Sequence, residues 1–216
     1  MASDPSDAPT IFVLAGVNGA GKSSVGGARL KDLGRDYFNP DVVAREIRET
    51  TGCSLEEANS QAWQEGKRRL EQAIRARRNF AFESTLGAHT MPAILTDAAR
   101  QGFRVVVWFV GLSSPEKHIE RVRLRVEAGG HDIPEAKIRD RWNTSRQNII
   151  DLLPSLEELK VFDNSADRDP VTGELPPPRL LLHWRNGAVV ESAAEPPEWA
   201  KPILDSAHAL ERQRKG

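Results

Sequence analysis

Residues 14–24 read Leu14-Ala15-Gly16-Val17-Asn18-Gly19-Ala20-Gly21-Lys22-Ser23-Ser24, and the interpretation of the whole chain starts from them. Two glycines, a lysine and a serine in this segment have the spacing of a phosphate-binding P-loop, Gly16-x-x-x-x-Gly21-Lys22-Ser23. Glycines let the backbone curl until its N–H groups point at phosphate oxygens, while the lysine adds a positive charge and the serine hydroxyl can bind Mg²⁺. The spacing therefore predicts a nucleotide-phosphate site near the start of the chain.

The segments on either side of this loop favour the same interpretation. Residues 10–15 form a β-branched and apolar run that is typical of a buried parallel strand. Residues 24–30 are predicted to begin a helix, weakened by two glycines, whose positive dipole end would face the phosphates. The alternative, a glycine turn without a ligand, stays open at this stage. The predicted nucleotide-binding residues are Gly16, Val17, Asn18, Gly19, Ala20, Gly21, Lys22, Ser23 and Ser24, with Ser23 also predicted as the metal ligand.

Composition excludes several classes of protein. The 216 residues carry a formal net charge of −1, which argues against a general nucleic-acid footprint. Cys53 is the single cysteine, so neither a disulfide framework nor a cysteine-based zinc site is expected. The apolar runs are too short to span a membrane, and acidic residues precede the first of them where a signal peptide would be basic. We therefore expect a cytoplasmic protein with no membrane or nucleic-acid partner.

Strand and helix patterns alternate along most of the chain, which predicts a parallel sheet with right-handed crossovers, flanked by helices. Strands are predicted at 10–15, 36–38, 79–85, 104–110 and 159–163. Helix starts are predicted at Asn39-Pro40, at the capping box of Ser54 and Glu57, at Ser114-Pro115, and at a second capping box of Asp132 and Glu135. Asn186-Gly187 predicts a hairpin between 179–184 and 188–192, with a terminal helix around 201–212. We expect residues 1–9 to be disordered, 10–166 to form the core with a lid around 121–145, and 167–216 to form a C-terminal extension of hairpin and tail.

Two acidic residues are candidates for chemistry at the carboxyl edge of this sheet, where open α/β sheets bind ligands. Phosphoryl transfer to a hydroxyl needs a group that accepts the hydroxyl proton, and Asp41 is placed for it in the first turn of a helix. Its alternative role is to favour the helix dipole. Glu83, at the end of a predicted strand, could orient a Mg²⁺-bound water or substrate, or could be a buried carboxylate paired with an arginine. Ser84 and Thr85 beside it are predicted to bind substrate.

The predicted lid consists of two helices joined by Gly129-Gly130 and carries a set of basic residues. They are Arg121, Arg125, His131, Arg139 and Arg141. Guanidinium groups bind phosphoryl oxygens bidentately and stabilise the charge that spreads over them during transfer. Arg125 and Arg141 are the leading candidates for catalysis and Arg121 for nucleotide binding, while a solvated charged face remains the alternative for the others.

These residues resemble the motifs of the zeta toxin family of P-loop kinases. The matching blocks are Gly16 to Ser24, Asn39-Pro40-Asp41, Phe82-Glu83-Ser84-Thr85, Arg121-Val122-x-x-Arg125-Val126, Gly129-Gly130-His131-Asp132-Ile133-Pro134 and Asp163-Asn164-Ser165. The resemblance implies an α/β P-loop kinase fold and phosphorylation of a small molecule that depends on ATP and Mg²⁺. It assigns Asp41 as the base, Lys22 and Ser23 as nucleotide and Mg²⁺ contacts, Arg125 and Arg141 as lid residues, and Glu83 and Thr85 to the substrate side.

The resemblance leaves the acceptor and the biological role open. Larger zeta toxins phosphorylate the sugar 3′-hydroxyl of UDP-N-acetylglucosamine, so a nucleotide sugar is one expected substrate and a separate antitoxin protein one expected partner. A similar kinase with a housekeeping or resistance role on another substrate is the second hypothesis. A non-catalytic nucleotide switch is the third, although the chain lacks the Asn-Lys-x-Asp guanine motif.

Overall fold

The computed structural model describes residues 8–23, 25–26, 37–169 and 171–216. Its strands are β1 (Thr10–Ala15), β2 (Tyr37–Phe38), β3 (Phe80–Ser84), β4 (Arg104–Gly111), β5 (Glu158–Asp163), β6 (Arg179–Arg185) and β7 (Ala188–Ser192). Its helices are α1 (Pro40–Thr51), α2 (Leu55–Arg75), α3 (Thr90–Arg100), α4 (Pro115–Glu127), α5 (Glu135–Leu152) and α6 (Lys201–Lys215), and a 3₁₀ turn spans Leu153–Ser155. The predictions for residues 1–7, for Ser24 and for most of the helix at 24–30 fall outside the described residues.

The seven strands form one mixed sheet in the order β2-β3-β1-β4-β5-β6-β7. The first five strands in this order are parallel, and β6 and β7 add an antiparallel hairpin at one edge. Every residue of β1 is buried, and alternate side chains pack into separate apolar clusters on the two faces of the sheet. Because β1, β2 and β3 are parallel neighbours, the loops that follow them meet at one edge.

Side-chain caps fix where three of the six named helices begin, at Asn39, Ser54 and Ser114. The Asn39 Oδ1 accepts the backbone N–H groups of Asp41 at 2.9 Å and Val42 at 3.3 Å, so α1 starts at Pro40 as predicted. Ser54 and Glu57 form the predicted capping box at the start of α2. Asp41 is therefore held in the first turn of α1, directly after β2.

The second predicted capping box, at the start of α5, is wrong. The Asp132 carboxylate accepts from the adjacent Ile133 N–H at 2.8 Å, and Pro134 occupies the N-cap position without a side-chain hydrogen bond. The helix therefore begins only at Glu135, because the proline fixes the extended backbone before it.

The C-terminal segment packs onto the same body. Asn186 and Gly187 turn with φ of +51° and +86°, as the predicted hairpin requires, and helix α6 buries Ile203 and Leu204 in the main apolar cluster. Among the residues described, no helix combines the length and apolar character that crossing a membrane would require. The division of the chain at 166/167 stays a prediction.

Candidate active site

The loop after β1 has the backbone shape that phosphate binding requires. Gly21 has φ of +81°, and a Cβ there would lie 2.3 Å from the Asn164 amide nitrogen, so a larger residue would displace the loop. The Gly16 N–H donates to the Ser84 carbonyl at 3.1 Å, while the Lys22 ammonium donates to the Gly16 carbonyl at 3.0 Å. The loop is thus curled around the lysine and tied to the end of β3.

Side chains from distant elements support this loop from below. Val17 packs against Ile119 and Val122 of α4. The Asn164 amide, just after β5, donates to the Ala20 carbonyl at 2.8 Å. The loop is therefore held in place by packing against α4 and by a hydrogen bond from the residue that follows β5.

His118 is a supporting residue that the sequence interpretation missed. Its Nδ1–H donates to the Asn18 carbonyl at 2.8 Å, and the imidazole is 1 % exposed. Burial lowers the pKa of His118 to about 4, so the ring is neutral at physiological pH. Its partner lies a hundred residues away in the sequence, so no local pattern pointed to it.

Asp41 lies beside two basic residues, one near the end of α4 and one in the segment that joins α4 to α5. Its carboxylate oxygens lie 3.7 Å from the Arg125 Nη1 and 3.9 Å from the His131 Nε2. Burial lowers the pKa of Lys22. The negative charges of Glu83 and Asp41 oppose this shift but do not cancel it. Both carboxylates therefore act on the P-loop lysine, and the carboxyl edge of the sheet brings together the acidic and basic candidates.

Glu83 is buried at the end of β3 and lies among neutral partners. Its Oε1 accepts hydrogen bonds from the Tyr37 hydroxyl and from the Asn39 amide, the latter at 3.1 Å, and lies 3.5 Å from the Ser23 hydroxyl. Burial, followed by the hydrogen bond to Glu83, raises the pKa of Tyr37. Within the described ranges no arginine pairs with the Glu83 carboxylate. Tyr37 and Asn39 were not predicted as site residues, because nothing in the local pattern connects them with Glu83.

The segment after β3 is held by its own turns and by α5. The Ser84 hydroxyl accepts from the Leu86 N–H at 3.0 Å, and the Thr85 carbonyl accepts from the Ser145 hydroxyl at 2.5 Å. Both Ser84 and Thr85 are half-buried. Their predicted role in substrate binding stays a prediction.

The structure separates the basic residues of α4 and α5. Arg141 is half-buried, donates to the Asn18 side chain at 2.8 Å, and has a pKa lowered by burial. Arg125 lies at Asp41 and donates to the His131 carbonyl at 3.1 Å. Arg121 donates to the Ala166 carbonyl at 3.0 Å, near enough to His118 to help to lower its pKa. Arg139 points away and pairs with Glu116 at 2.5 Å on the surface.

The residues present fit a nucleotide with Mg²⁺. The Nε of Arg125 is buried with no hydrogen-bond partner among the described residues, which leaves a donor beside the loop for an anion. The exposed hydroxyl of Ser23 lies next to the Glu83 carboxylate. The described part of the chain holds no cluster of three or more acidic, histidine or cysteine ligands. A lone serine suits Mg²⁺, which keeps most of its waters and takes other ligands from phosphates.

Two comparisons with solved structures show the same fold. A chain in the crystal structure of AvrRxo1-ORF1:-ORF2 with ATP superposes with a TM-score of 0.65 at 19% identity, covering 92% of this chain and 63% of that one. A chain of the PezAT chromosomal toxin-antitoxin system of Streptococcus pneumoniae superposes with a TM-score of 0.57 at 15% identity, covering 98% of this chain and 89% of that one.

Sequence comparison adds a relative and a family. A shikimate kinase of Synechococcus sp. (strain RCC307) is 32% identical over 128 residues, which are 57% of this chain and 60% of that protein. This chain therefore spans less than two thirds of the shikimate kinase and of the AvrRxo1 chain. The family model for zeta toxin matches residues 2–168, which is most of the sequence. The chain belongs to the zeta toxin family, and its fold is that of a P-loop kinase.

Proposed function

We propose that this protein is an ATP-dependent kinase that transfers the γ-phosphoryl group to a hydroxyl of a small molecule. The observation that carries the proposal is the position of Asp41, whose carboxylate lies 3.7 Å from the Arg125 guanidinium and near enough to Lys22 of the P-loop for its charge to act on that lysine. Family membership supports it, as do the similarity to a shikimate kinase and the ATP in the AvrRxo1 complex.

The loop residues Gly16 to Ser23 would hold the phosphates through backbone N–H groups, with the Lys22 ammonium on the β- and γ-phosphates. Arg121 would add a contact from α4. Ser23 would bind Mg²⁺, with Glu83 orienting the ion's water, and the metal would supply charge neutralisation on the phosphates. Each of these assignments uses a side chain that already lies at the carboxyl edge of the sheet.

Asp41 would accept the proton of the acceptor hydroxyl. The hydroxyl oxygen forms a bond to the γ-phosphorus while the bond from that phosphorus to the bridging oxygen breaks, and ADP leaves with that oxygen. Arg125 and Arg141 would stabilise the charge on the equatorial oxygens, since both lie at the cleft and carry donors in a planar fork. Thr85, with Ser84 and Glu83, would line the acceptor side.

The proposal extends to the identity of the acceptor and to the biological role of the kinase. A nucleotide sugar such as UDP-N-acetylglucosamine is the first acceptor to test, and a separate antitoxin the first partner, because PezAT is a toxin-antitoxin system. A kinase of similar chemistry with a resistance or housekeeping role is the second candidate, favoured by the shikimate kinase relative. Cytoplasmic location is part of the same proposal.

The test compares Asp41→Asn with Glu46→Gln, which removes an exposed carboxylate from the same helix. ADP formation is measured with nucleotide sugars and small hydroxyl compounds as acceptors, and ATP binding is measured by calorimetry. Loss of the general base should lower kcat by a factor of about 10² to 10⁴ while ATP affinity is kept, and Glu46→Gln should match the wild type. Full turnover by Asp41→Asn would exclude the base role. ATP binding without transfer by the wild type to any acceptor would favour a nucleotide switch.

A further inference from the structure

Asn18 occupies a P-loop position at which the sequence pattern requires no particular side chain. In such a loop the phosphate contacts come from backbone N–H groups, the lysine and the serine. Asn18 is nevertheless only 7% exposed, and its Oδ1 accepts a hydrogen bond from the Arg141 Nη1 at 2.8 Å. The side chain of this loop residue is therefore engaged with helix α5, at a distance of 123 residues in the sequence.

The main chain around Asn18 is fixed by a different helix, α4. The Asn18 carbonyl accepts from the His118 Nδ1–H at 2.8 Å, and a Cβ added at Gly19 would lie 2.7 Å from the His118 carbonyl. The loop therefore lies directly against α4 at these two residues. Because the main chain is held there, the Asn18 amide can project in few directions, and its oxygen is presented to Arg141 at a set position.

Arg141 is held at both ends of its side chain. In the part of the chain that the structure describes, the guanidinium makes one hydrogen bond, to Asn18, and it pairs with no carboxylate. The stem packs against Gly87, where an added Cβ would lie 2.6 Å from the Arg141 Cγ. The direction of the guanidinium is thus set by packing along its stem and by a neutral partner at its head.

A neutral acceptor orients a guanidinium without cancelling its charge. A carboxylate in the place of the Asn18 amide would form a salt bridge and reduce the positive charge that a phosphoryl group encounters. The amide uses one N–H donor of Arg141 and leaves the other donors for phosphate oxygens. This arrangement suits an arginine that has to be aligned beforehand and still be fully charged when it acts.

We propose that Asn18 is a positioning residue that directs the Arg141 guanidinium toward the transferring phosphoryl group. The inference rests on the proposed function, because it takes Arg141 to act on that group. It gives the P-loop a task besides holding phosphates, since one of its side chains aligns a charged group on α5. Asn18 acts through Arg141 and needs no contact of its side chain with the substrate.

The first experiment is a double-mutant cycle on turnover, with any acceptor that the wild type phosphorylates. Asn18→Ala removes the amide but keeps the main-chain carbonyl that His118 binds, so the contact between the loop and α4 remains. It should lower kcat by a factor of about 10 to 10², as expected when a catalytic group is displaced, and change the KM for ATP by less than about twofold. In Arg141→Gln the same substitution should cause no further loss.

Asn143 provides a matched control on the same helix as Arg141. Its amide oxygen also accepts from an arginine, the Nη2 of Arg146, at 2.8 Å. Asn143 is exposed and follows Arg141 by two residues, so it lies about 200° away around α5. Asn143→Ala should leave kcat and both KM values unchanged, which separates the loss of Asn18 from the loss of any asparagine–arginine hydrogen bond.

The second experiment measures binding, so it does not depend on turnover. Each variant is titrated with ADP and with the non-hydrolysable β,γ-imido analogue of ATP, both with Mg²⁺. The ratio of the two affinities reports contacts to the γ-phosphate, and a general distortion of the P-loop cancels because both nucleotides use the same loop. Arg141→Gln should lower this ratio about tenfold, Asn18→Ala about threefold or more, and the double variant no further than Arg141→Gln.

The outcomes distinguish the positioning role from the kinase activity. Either a kcat or an affinity ratio that Asn18→Ala leaves unchanged, or losses that add in the double variant, would overturn the positioning role and leave the kinase proposal intact. Absence of transfer to any acceptor, combined with an affinity ratio that depends jointly on Asn18 and Arg141, would count against the kinase proposal alone.

Discussion

Arg139 and Arg141 lie two residues apart on one helix and have opposite environments. Arg141 reaches the Asn18 side chain at the P-loop, whereas Arg139 pairs with Glu116 on the exposed face. Sequence alone could not separate them, because both are arginines in a charged segment. Two residues are about 200° of helix, so one of the two must face away from the cleft whenever the other faces it.

Substituting each arginine by glutamine tests this difference. We expect Arg141→Gln to lower kcat by a factor of about 10³ to 10⁵, the range for arginines that stabilise the transferring phosphoryl group. Arg139→Gln removes an exposed ion pair and should leave kcat and KM unchanged. Steady-state ADP release gives the rates, and unfolding in urea checks that both variants are folded. Equal losses in the two variants would contradict the assignment of Arg141.

The residues that sequence reasoning found are those whose role depends on local spacing. The P-loop pattern gives Gly16, Gly21 and Lys22 directly, since their function lies in the backbone they shape. His118 and Tyr37 were missed because their partners, the Asn18 carbonyl and the Glu83 carboxylate, are far away in the sequence. A buried histidine that donates to a main-chain oxygen leaves no periodic signal.

At the level of elements, caps that rely on adjacent side chains were predicted well. Asn39 before Pro40 and the Ser54–Glu57 pair start their helices as expected. The prediction for the start of α5 was wrong because the Asp132 carboxylate accepts a hydrogen bond from a nearer donor, the Ile133 N–H. Whether a potential cap is used depends on backbone geometry around Pro134, which the side-chain pattern does not encode.

The P-loop can be tested as an element through two glycines with similar backbone strain. Gly21 and Gly52 have φ of +81° and +68°, but only Gly21 has a neighbour where a Cβ would go; Gly52 has none within 4 Å. We expect Gly21→Ala to abolish ATP binding, because the new methyl would push the loop off Asn164. Gly52→Ala should cost about 1 to 3 kcal/mol of unfolding free energy and keep ATP binding. Calorimetric titration with ATP distinguishes these results, and ATP affinity preserved in Gly21→Ala would contradict the loop geometry.

For the whole molecule, the sheet order explains why one edge carries the site. Lys22 follows β1, Asp41 lies in the helix turn directly after β2, and Glu83 lies at the end of β3, and these three strands are neighbours in the sheet. This arrangement follows from the alternation of strands and helices and could be expected from sequence. How deeply the C-terminal segment packs could not be expected in the same way, because the hairpin and helix predicted within residues 179–216 carry no signal of what they pack against. These residues nevertheless contribute to the main core cluster.

The stability of the whole domain should therefore depend on its last helix. Ile203 of α6 is fully buried, whereas Val190 of β7 is 60% exposed. Ile203→Ala should lower the free energy of unfolding by about 2 to 5 kcal/mol through lost burial and a cavity. Val190→Ala should change it by less than about 0.5 kcal/mol. Urea denaturation followed by tryptophan fluorescence measures both values, and a neutral Ile203→Ala would mean that α6 is not part of the cooperative unit.

The Asn39 side chain links the positions of Asp41 and Glu83. Its oxygen receives the first N–H groups of α1, and its nitrogen simultaneously donates to the Glu83 carboxylate at the end of β3. Serine, threonine or aspartate would satisfy the helix end equally well, but none offers a second, donating arm of this kind. Replacement by any of them would uncouple the orientation of Asp41 from that of Glu83, and aspartate would in addition set two like charges against each other. The amide of Asn39 thus sets the orientation of Asp41 and Glu83 relative to each other.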